Sequence, residues 1–270
     1  MLVFPNAKIN IGLNIVEKRG DGFHSIESVF YPIPFCDMLE VVAGKTKHPF
    51  FTQTGHKLDC PLEKNLVVKA FLMLEKELNV PGISIHLHKL VPSGAGLGGG
   101  SSDCAYLISA LNRLFSLNLG EEQMIQYASR LGSDCAFFIR NTPAYVTGRG
   151  EVIEPMALSL KGMTMVLVKP DVHVSTAEAY SLVKPAKPGS SLKENIQKPV
   201  SEWRDCIVND FEKPLFAKVP VLSEIKEKLY SLGALYASMT GSGSAVYGFF
   251  SEPISLKTTF SPHFVWEGNL

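Results

Sequence analysis

The sequence predicts an α+β fold in two halves, with a boundary near residue 155. Three observations carry that expectation. Ile9, Ile11, Leu13 and Ile15 alternate with Lys8, Asn10, Gly12 and Asn14, and Ile83, Ile85 and Leu87 alternate in the same way, the period of strands with one apolar face. Leu66, Ala70, Phe71, Leu74 and Leu78, then Cys104, Leu107, Ile108, Leu111 and Leu114, recur at helical spacing. From about residue 157 the pattern starts afresh with its own strands and helices.

On the polar face of the first strand Lys8 and Asn10 stand side by side, about 6.7 Å apart at the rise of a strand. For a lone lysine the ordinary reading is a solvated face. Arg19-Gly20-Asp21-Gly22 is a turn, Phe23-His24 leads an extended run to Phe30-Tyr31, and 37–42 reads as a further strand. Asn65 caps the helix that opens at Leu66. A second helix after the 104–114 stretch fits 121–131, and Gly132-Ser133-Asp134-Cys135-Ala136-Phe137-Phe138 follows it. In the C-terminal half 164–168 is a buried strand, 176–183 a short helix and 184–189 a Pro- and Lys-rich mobile connection. Helices fit 200–212 and 221–232, and strands over 234–239 and 245–250 flank the turn Thr240-Gly241-Ser242-Gly243-Ser244. No internal repeat is present.

The chain has 270 residues, of which 46% are hydrophobic and 19% charged, a composition that excludes intrinsic disorder. Lys+Arg and Asp+Glu are 26 each, so the net charge is zero. That argues against a general nucleic-acid or acidic-membrane binder and leaves room for a local positive site. The 5 cysteines are widely spaced with no C-x-x-C pair, which reads as reduced thiols. Residues 1–6 lack the basic region and the apolar run of a signal peptide, and a cytoplasmic protein is expected. The uncharged stretch 234–251 has its glycine-serine turn at the centre, which suits a loop between strands and not a membrane helix.

Residues 92–102 read Pro92-Ser93-Gly94-Ala95-Gly96-Leu97-Gly98-Gly99-Gly100-Ser101-Ser102, after a strand and at the opening of a helix. Backbone N–H groups free of side chains at a positive helix end make an anion site. A Walker A loop is excluded, because it needs Lys after the last glycine and Ser101 stands there. Gly94, Gly96 and Gly99 match the Rossmann spacing, but the acids that follow, Glu121 and Glu122, begin a second helix instead of ending a parallel strand. A purely structural loop so dense in flexible residues carries a high entropic cost. Pro92-x-x-x-Gly96-Leu97-Gly98-Gly99-Gly100-Ser101-Ser102 closely resembles the phosphate loop of the GHMP kinases, the galactokinase, homoserine, mevalonate and phosphomevalonate kinase superfamily. Thr240-Gly241-Ser242-Gly243-Ser244-Ala245-Val246 resembles the family's C-terminal motif, and Ala7-Lys8-Ile9-Asn10 its N-terminal one.

The resemblance implies a two-domain GHMP kinase fold: an ATP-binding half like the second domain of ribosomal protein S5 over 1–155, and a ferredoxin-like half over 156–270. Three stretches resemble one branch of the family: residues 7–13, Arg19-Gly20-Asp21-Gly22-Phe23-His24-Ser25, and 132–138. That branch phosphorylates the 2-hydroxyl of a cytidine diphosphate-linked polyol with ATP, in the non-mevalonate route to isoprenoid precursors. The resemblance makes Asp134 the acceptor of the hydroxyl proton and Lys8 the cation that keeps the aspartate ionised, orients the hydroxyl and stabilises the forming charge. Asn10 would touch substrate or Asp134. Residues 92–102 would wrap the phosphates, with Asn65 and Leu66 near the adenine; Asn65 is equally a helix cap. Ser101 and Ser102 could donate hydroxyls, help hold Mg²⁺, or simply cap their helix.

For the cytosine the resemblance offers His24 on the polar edge, with Phe23 and Tyr180 as an aromatic sandwich; base stacking on aromatics is worth about 1–3 kcal/mol. Position 23 is commonly Tyr in this family, and Tyr180 stands where a Phe is expected. Thr176 and Asp171 fall near the site, and Phe30 is either pocket or core. A homoserine- or mevalonate-type kinase is the alternative within the family, and a non-catalytic nucleotide-binding protein the alternative outside it. ATP and Mg²⁺ are the expected cofactors, small molecules the expected partners, with neither nucleic acid nor membrane. Monomer and homodimer fit equally, and no acidic Mg²⁺ ligand stands beside the loop. His86 and His88 have the spacing of two metal ligands, but with no Cys or carboxylate cluster they read as the polar face of a strand. His48, His56, His173 and His263 have no nameable partner. Cys104 and Cys135 read as small core residues beside the loop and Asp134.

Overall fold

The computed structural model describes residues 1–44, 49–57 and 61–270, which leaves His48 and Cys60 outside the described residues. In chain order its elements begin with β1 (Leu2–Val3), β2 (Asn6–Lys18), β3 (His24–Cys36), β4 (Met38–Ala43), β5 (Phe50–Gly55), α1 (Leu66–Leu78) and β6 (Ile83–Lys89). After the glycine loop come α2 (Gly99–Leu114), α3 (Glu121–Ser129), α4 (Phe137–Arg140), β7 (Ala144–Thr147) and β8 (Val152–Pro155). Then follow β9 (Thr164–Lys169), α5 (Thr176–Leu182), α6 (Leu192–Asn195), α7 (Glu212–Lys218), α8 (Pro220–Ser231), β10 (Tyr236–Met239), β11 (Val246–Phe250) and β12 (Phe264–Asn269). Short 3₁₀ turns occupy Leu62–Lys64 and Val200–Asp205.

Two compact units are assembled from interleaved segments: Met1–Ala7, Phe35–Ser93 and Gly98–Thr142 form the first, and Lys8–Pro34, Gly94–Leu97 and Pro143–Leu270 the second. The division therefore does not follow the sequence boundary at 155, because β2, β3 and the first half of the glycine loop group with the C-terminal elements.

Unit one is built on a four-stranded sheet of order β1-β4-β6-β5, with β4 antiparallel and β5 parallel to β6. The alternation read in β6 is real: Ile83, Ile85 and Leu87 are buried with Phe71 and Leu74 of α1 and Leu107 and Leu111 of α2. His86 and His88 lie on the other face, where both reach the Thr54 hydroxyl, at 2.9 and 2.8 Å. The α1 helix starts where Asn65 accepts a hydrogen bond from the Val67 N–H at 2.9 Å, and stops at Asn79, whose φ of 53° breaks the helix.

Unit two carries a four-stranded sheet of order β10-β11-β9-β12, antiparallel throughout, on which α8 packs. Its core joins Val166, Val168, Leu222, Leu229, Met239 and Val246 to Leu13 and Ile15 of β2. A further sheet runs β2-β3-β7-β8, with Ser28, Val29 and Phe30 opposite Val146, Tyr145 and Ala144. The expected helix over 200–212 is corrected here. After the 3₁₀ turn the chain extends beside β2: the Leu13 N–H donates to the Val208 carbonyl at 2.9 Å and the Asp210 N–H to the Leu13 carbonyl at 2.8 Å. Backbone pairing to a buried strand overrides local helical spacing. The 184–189 connection is tied at its middle, where the Ala186 N–H donates to the Ile15 carbonyl at 3.0 Å.

Beneath the start of α2, within unit one, three charges are buried together. Lys89 closes β6 and bonds both Asp37 and Asp103, the latter at 2.8 Å, and all three are at most 1% exposed. The other Asp37 oxygen accepts the N–H groups of Leu90 and Val91, at 2.6 and 2.8 Å. Burial pushes the Asp103 carboxyl up to about 7, against the pull of the Lys89 ammonium. Removing the single cation leaves two carboxylates facing each other without water, which costs about 3–5 kcal/mol. Lys89→Met is accordingly expected to lower unfolding stability by that amount in urea titrations at pH 7.5. A loss below about 1 kcal/mol would contradict the arrangement.

Candidate active site

In unit two three distant stretches converge on one carbonyl. Lys8 is only 3% exposed although it lies on the strand face first read as solvated. Its Nζ donates to Asn10 Oδ1 at 2.6 Å and to the Gly96 carbonyl at 3.3 Å, and lies 4.4 Å from the Phe30 ring centroid, a cation–π distance. The same Gly96 carbonyl accepts the Thr240 hydroxyl at 3.0 Å. Thr240 Oγ1 in turn accepts the Asn10 N–H at 3.0 Å, and the Asn10 carbonyl accepts the Tyr247 hydroxyl at 2.8 Å. Asn10 Nδ2 donates to Ser28 Oγ at 2.8 Å, and that hydroxyl donates onward to the Gly12 carbonyl at 2.7 Å. The Lys8 N–H reaches the Leu97 carbonyl at 2.9 Å, so the strand holds the loop by backbone as well as side chain.

The loop geometry demands its glycines. Gly94, Gly96 and Gly98 have φ of 63°, 76° and 69°. A Cβ on Gly96 would lie 2.0 Å from the Thr240 carbonyl oxygen. A Cβ on Gly94 would come within 3.3 Å of the His173 imidazole, so His173, for which no sequence signal named a partner, stands against the loop.

The second half of the loop belongs to unit one and opens α2, where the Ser102 N–H donates to the Gly98 carbonyl at 2.9 Å. The first-turn N–H groups of a 16-residue helix lack intrahelical partners and carry its positive end. Gly100 is exposed, with nothing within 4 Å of where a Cβ would be. Ser102 Oγ is buried and has no hydrogen-bond partner. Pro92 and Ser101 are half-buried, Ser93 exposed, and Ala95 and Leu97 buried at 1%. Asp134 is half-buried in the turn between α3 and α4 of unit one, next to Cys135. Cys104 and Cys135 are both fully buried in that unit's core, their thiols hydrogen-bonded to each other. Asn65 spends its side-chain oxygen on the α1 cap, and Leu66 packs against the same core.

The aromatic residues are arranged differently from the expected pair. A hairpin turn, closed by Arg19 N–H to the Phe23 carbonyl at 2.8 Å, presents Phe23 and His24. Phe23 is 56% exposed and lies under the Arg149 guanidinium, 5.0 Å from its ring centroid. The ring stacked on Tyr180 is His24, at 4.9 Å and 22°, and the Phe211 ring meets Tyr180 edge-on at 4.9 Å and 88°. Burial, then the nearby Lys18, holds the His24 pKa below the usual histidine value, so the imidazole is neutral at pH 7 and offers one donor and one acceptor. Thr176 is exposed at the start of α5, its hydroxyl 3.3 Å from that of Ser242 in the glycine-serine turn. A cavity of about 810 Å³ bounded by Leu182, Lys184, Val208 and Lys213 holds none of the residues singled out from sequence.

Gly96→Ala is expected to weaken binding of a non-hydrolysable ATP analogue at least about tenfold, with the circular dichroism spectrum unchanged. Affinity within about twofold of wild type would show that the loop and the Thr240 turn part at no cost.

The GHMP kinases N terminal domain matches residues 65–142, and the GHMP kinases C terminal domain matches 192–257. A 4-diphosphocytidyl-2-C-methyl-D-erythritol kinase of Parabacteroides distasonis is 53% identical over 272 residues, covering 100% of both chains. The crystal structure of a 4-(cytidine 5'-diphospho)-2C-methyl-D-erythritol kinase superposes with a TM-score of 0.85 at 30% identity, covering 99% of this chain and 98% of the other. A homoserine kinase from Cytophaga hutchinsonii, with TM-score 0.69 and 15% identity over 98% of this chain and 94% of its own, shares the fold alone. The chain belongs to the GHMP kinases, within the family of the 4-diphosphocytidyl-2-C-methyl-D-erythritol kinases.

Proposed function

We propose that this chain transfers the γ-phosphate of ATP to the 2-hydroxyl of 4-diphosphocytidyl-2-C-methyl-D-erythritol, releasing ADP and the 2-phosphate. The structural observation that carries the reading is the Lys8 ammonium, buried to 3% and seated on the Gly96 carbonyl of the glycine loop. A buried cation fixed at a phosphate loop is suited to stabilising charge on a transferring phosphoryl group. The substrate assignment is supported by the full-length relatives and by the His24–Tyr180 stack, which a substrate without a nucleobase does not need.

ATP is the phosphate donor of the family. Residues 92–102 wrap its phosphates with backbone N–H groups and the positive end of α2, and Asn65 and Leu66 lie toward its adenine. Mg²⁺, were it bound with the nucleotide, would neutralise phosphate charge. Among the described residues no group of three or more His, Cys, Asp or Glu could hold a metal. Two oxygens at the start of α2, Ser102 Oγ and Asp103 Oδ1, are buried without a hydrogen-bond partner, and the Ser102 hydroxyl would be a hard donor of the kind Mg²⁺ accepts. Asp134 takes the proton from the substrate hydroxyl as that oxygen bonds to phosphorus and the bond to ADP breaks. Lys8 stabilises the charge of the transferring group, and Asn10 contacts the substrate. His24 reads the cytosine edge with its neutral imidazole, Tyr180 and Phe23 supply ring faces, and Thr176 lines the pocket. In this reading 1–155 and 156–270 are the two domains along the sequence, although Lys8–Pro34 and Gly94–Leu97 group with the second compact unit. The enzyme works as a monomer or homodimer in the cytoplasm, with small molecules as its partners and neither nucleic acid nor membrane. No helix among the described residues is long and apolar enough to cross a membrane.

A coupled ADP-release assay with Mg·ATP tests the proposal on four alcohols: the diphosphocytidyl compound, homoserine, mevalonate and phosphomevalonate. Turnover is expected on the first alone, and Asp134→Asn should lower kcat at least about 100-fold while moving the KM for ATP little. Turnover on a different alcohol, or on none of the four, would overturn the assignment.

A further inference from the structure

The run Asn209-Asp210-Phe211-Glu212 has no place in the sequence-derived site, yet each of its side chains is tied to an element of unit two that carries or borders that site. Asn209, 3% exposed, donates from Nδ2 to the Met239 carbonyl at 2.8 Å and to the Gly241 carbonyl at 2.9 Å, while its Oδ1 accepts the Phe211 N–H at 3.0 Å. Both amide hydrogens and the amide oxygen are used, and the two carbonyls flank Thr240, whose hydroxyl holds the glycine loop at Gly96. Glu212 fixes the end of β10 from the other side, with Oε1 accepting the Met239 N–H at 2.8 Å and the Ser238 hydroxyl at 2.9 Å. Asp210 accepts the Ile15 N–H at 2.7 Å and so anchors the run to β2, the strand that carries Lys8 and Asn10. Phe211, 1% exposed, backs Tyr180 edge-on, and Tyr180 stacks on His24.

We propose that Asn209 and Phe211 are positioning residues with separate duties: Asn209 sets ATP affinity by holding the Thr240 turn on the glycine loop, and Phe211 sets cytidine affinity by holding the Tyr180 ring. Both are almost wholly buried, and the Asn209 amide is fully engaged with Met239, Gly241 and Phe211, so they act through what they hold. Only a side chain with two adjacent N–H groups and one acceptor satisfies the Asn209 position. A carboxylate there would set oxygen against two carbonyl oxygens, and an alkyl group would leave both carbonyls buried without donors. Phe211 and Tyr180 meet at 88° with centroids 4.9 Å apart, a T-shaped contact that the aromatic quadrupole favours and an aliphatic side chain does not reproduce. The cytidine half of the proposal rests on the function proposed above; the ATP half does not.

Calorimetric titration of the full chain separates the two duties. The probes are a non-hydrolysable ATP analogue with Mg²⁺, and cytidine 5'-diphosphate added to protein already saturated with that analogue. Asn209→Ala is expected to weaken the analogue about tenfold or more and leave cytidine diphosphate within about twofold. Phe211→Leu is expected to do the reverse, weakening cytidine diphosphate about fivefold with the analogue within about twofold. Should Asn209→Ala not fold, Asn209→Ser, which keeps one donor, takes its place with a loss of about three- to tenfold for the analogue alone. If both variants weaken both ligands by similar factors, in proportion to their loss of Tm, the residues are merely structural and the proposal is overturned. An analogue affinity unchanged in the Asn209 variants overturns the ATP half. Wild-type protein that binds the analogue but no cytidine diphosphate overturns the cytidine half together with the substrate assignment, and the ATP half is then decided on the analogue alone.

Discussion

The site in unit two depends on one acceptor, the carbonyl oxygen of Gly96. It takes a hydrogen bond from the Lys8 ammonium and another from the Thr240 hydroxyl, so residues from three remote parts of the chain are fixed against one another by the two lone pairs of a single oxygen. Its position requires a φ of 76° and no side chain, because any Cβ there would run into the Thr240 backbone. The glycine loop is therefore not merely flexible. It is folded onto the strand and the turn that hold it.

A second electrostatic device underlies the other half of the loop, in unit one. The buried Lys89 ammonium sits between Asp37 and Asp103 under the first turn of α2, and a Cβ on Gly99 would lie 3.2 Å from its Nζ. Asp37 also accepts the two N–H groups that follow β6, which fixes where the chain leaves the sheet for the loop. The start of α2 is thus tied to strand ends by charge as well as by apolar contact with Val91. Its geometry is consequently sensitive to the loss of any one of the three groups.

Much of this was legible in the sequence, for a physical reason. The alternation around Lys8 and in 83–87, the Asn65 cap and the glycine run are local patterns; in β6 the alternation marks one buried face, whereas in β2 both faces are buried and the alternation separates only apolar from polar side chains. That Lys8 is buried was not legible, since nothing in an isolated lysine distinguishes a buried cation from a solvated one, and only the family resemblance set it apart. What stayed illegible is non-local. The 200–212 stretch has helical spacing, but pairing to Leu13 draws 208–210 into an extended conformation. Lys89, Asp37 and Asp103 are 52 and 14 residues apart and share no motif. Asn209 takes its place from two carbonyls some 30 positions away, and the stacking of Tyr180 on His24 follows from a hairpin turn that leaves the Phe23 ring exposed and the next one half-buried.

The central claim is that Lys8, the glycine loop and the Thr240 turn behave as one unit through Gly96. A double-mutant cycle tests it most directly, with Lys8→Met and Thr240→Val measured singly and together for affinity toward a non-hydrolysable ATP analogue. Residues that share an acceptor should couple, and an interaction free energy above about 1 kcal/mol is predicted. Losses that add to within about 0.3 kcal/mol would mean that the two donors act independently, and that the shared carbonyl organises nothing.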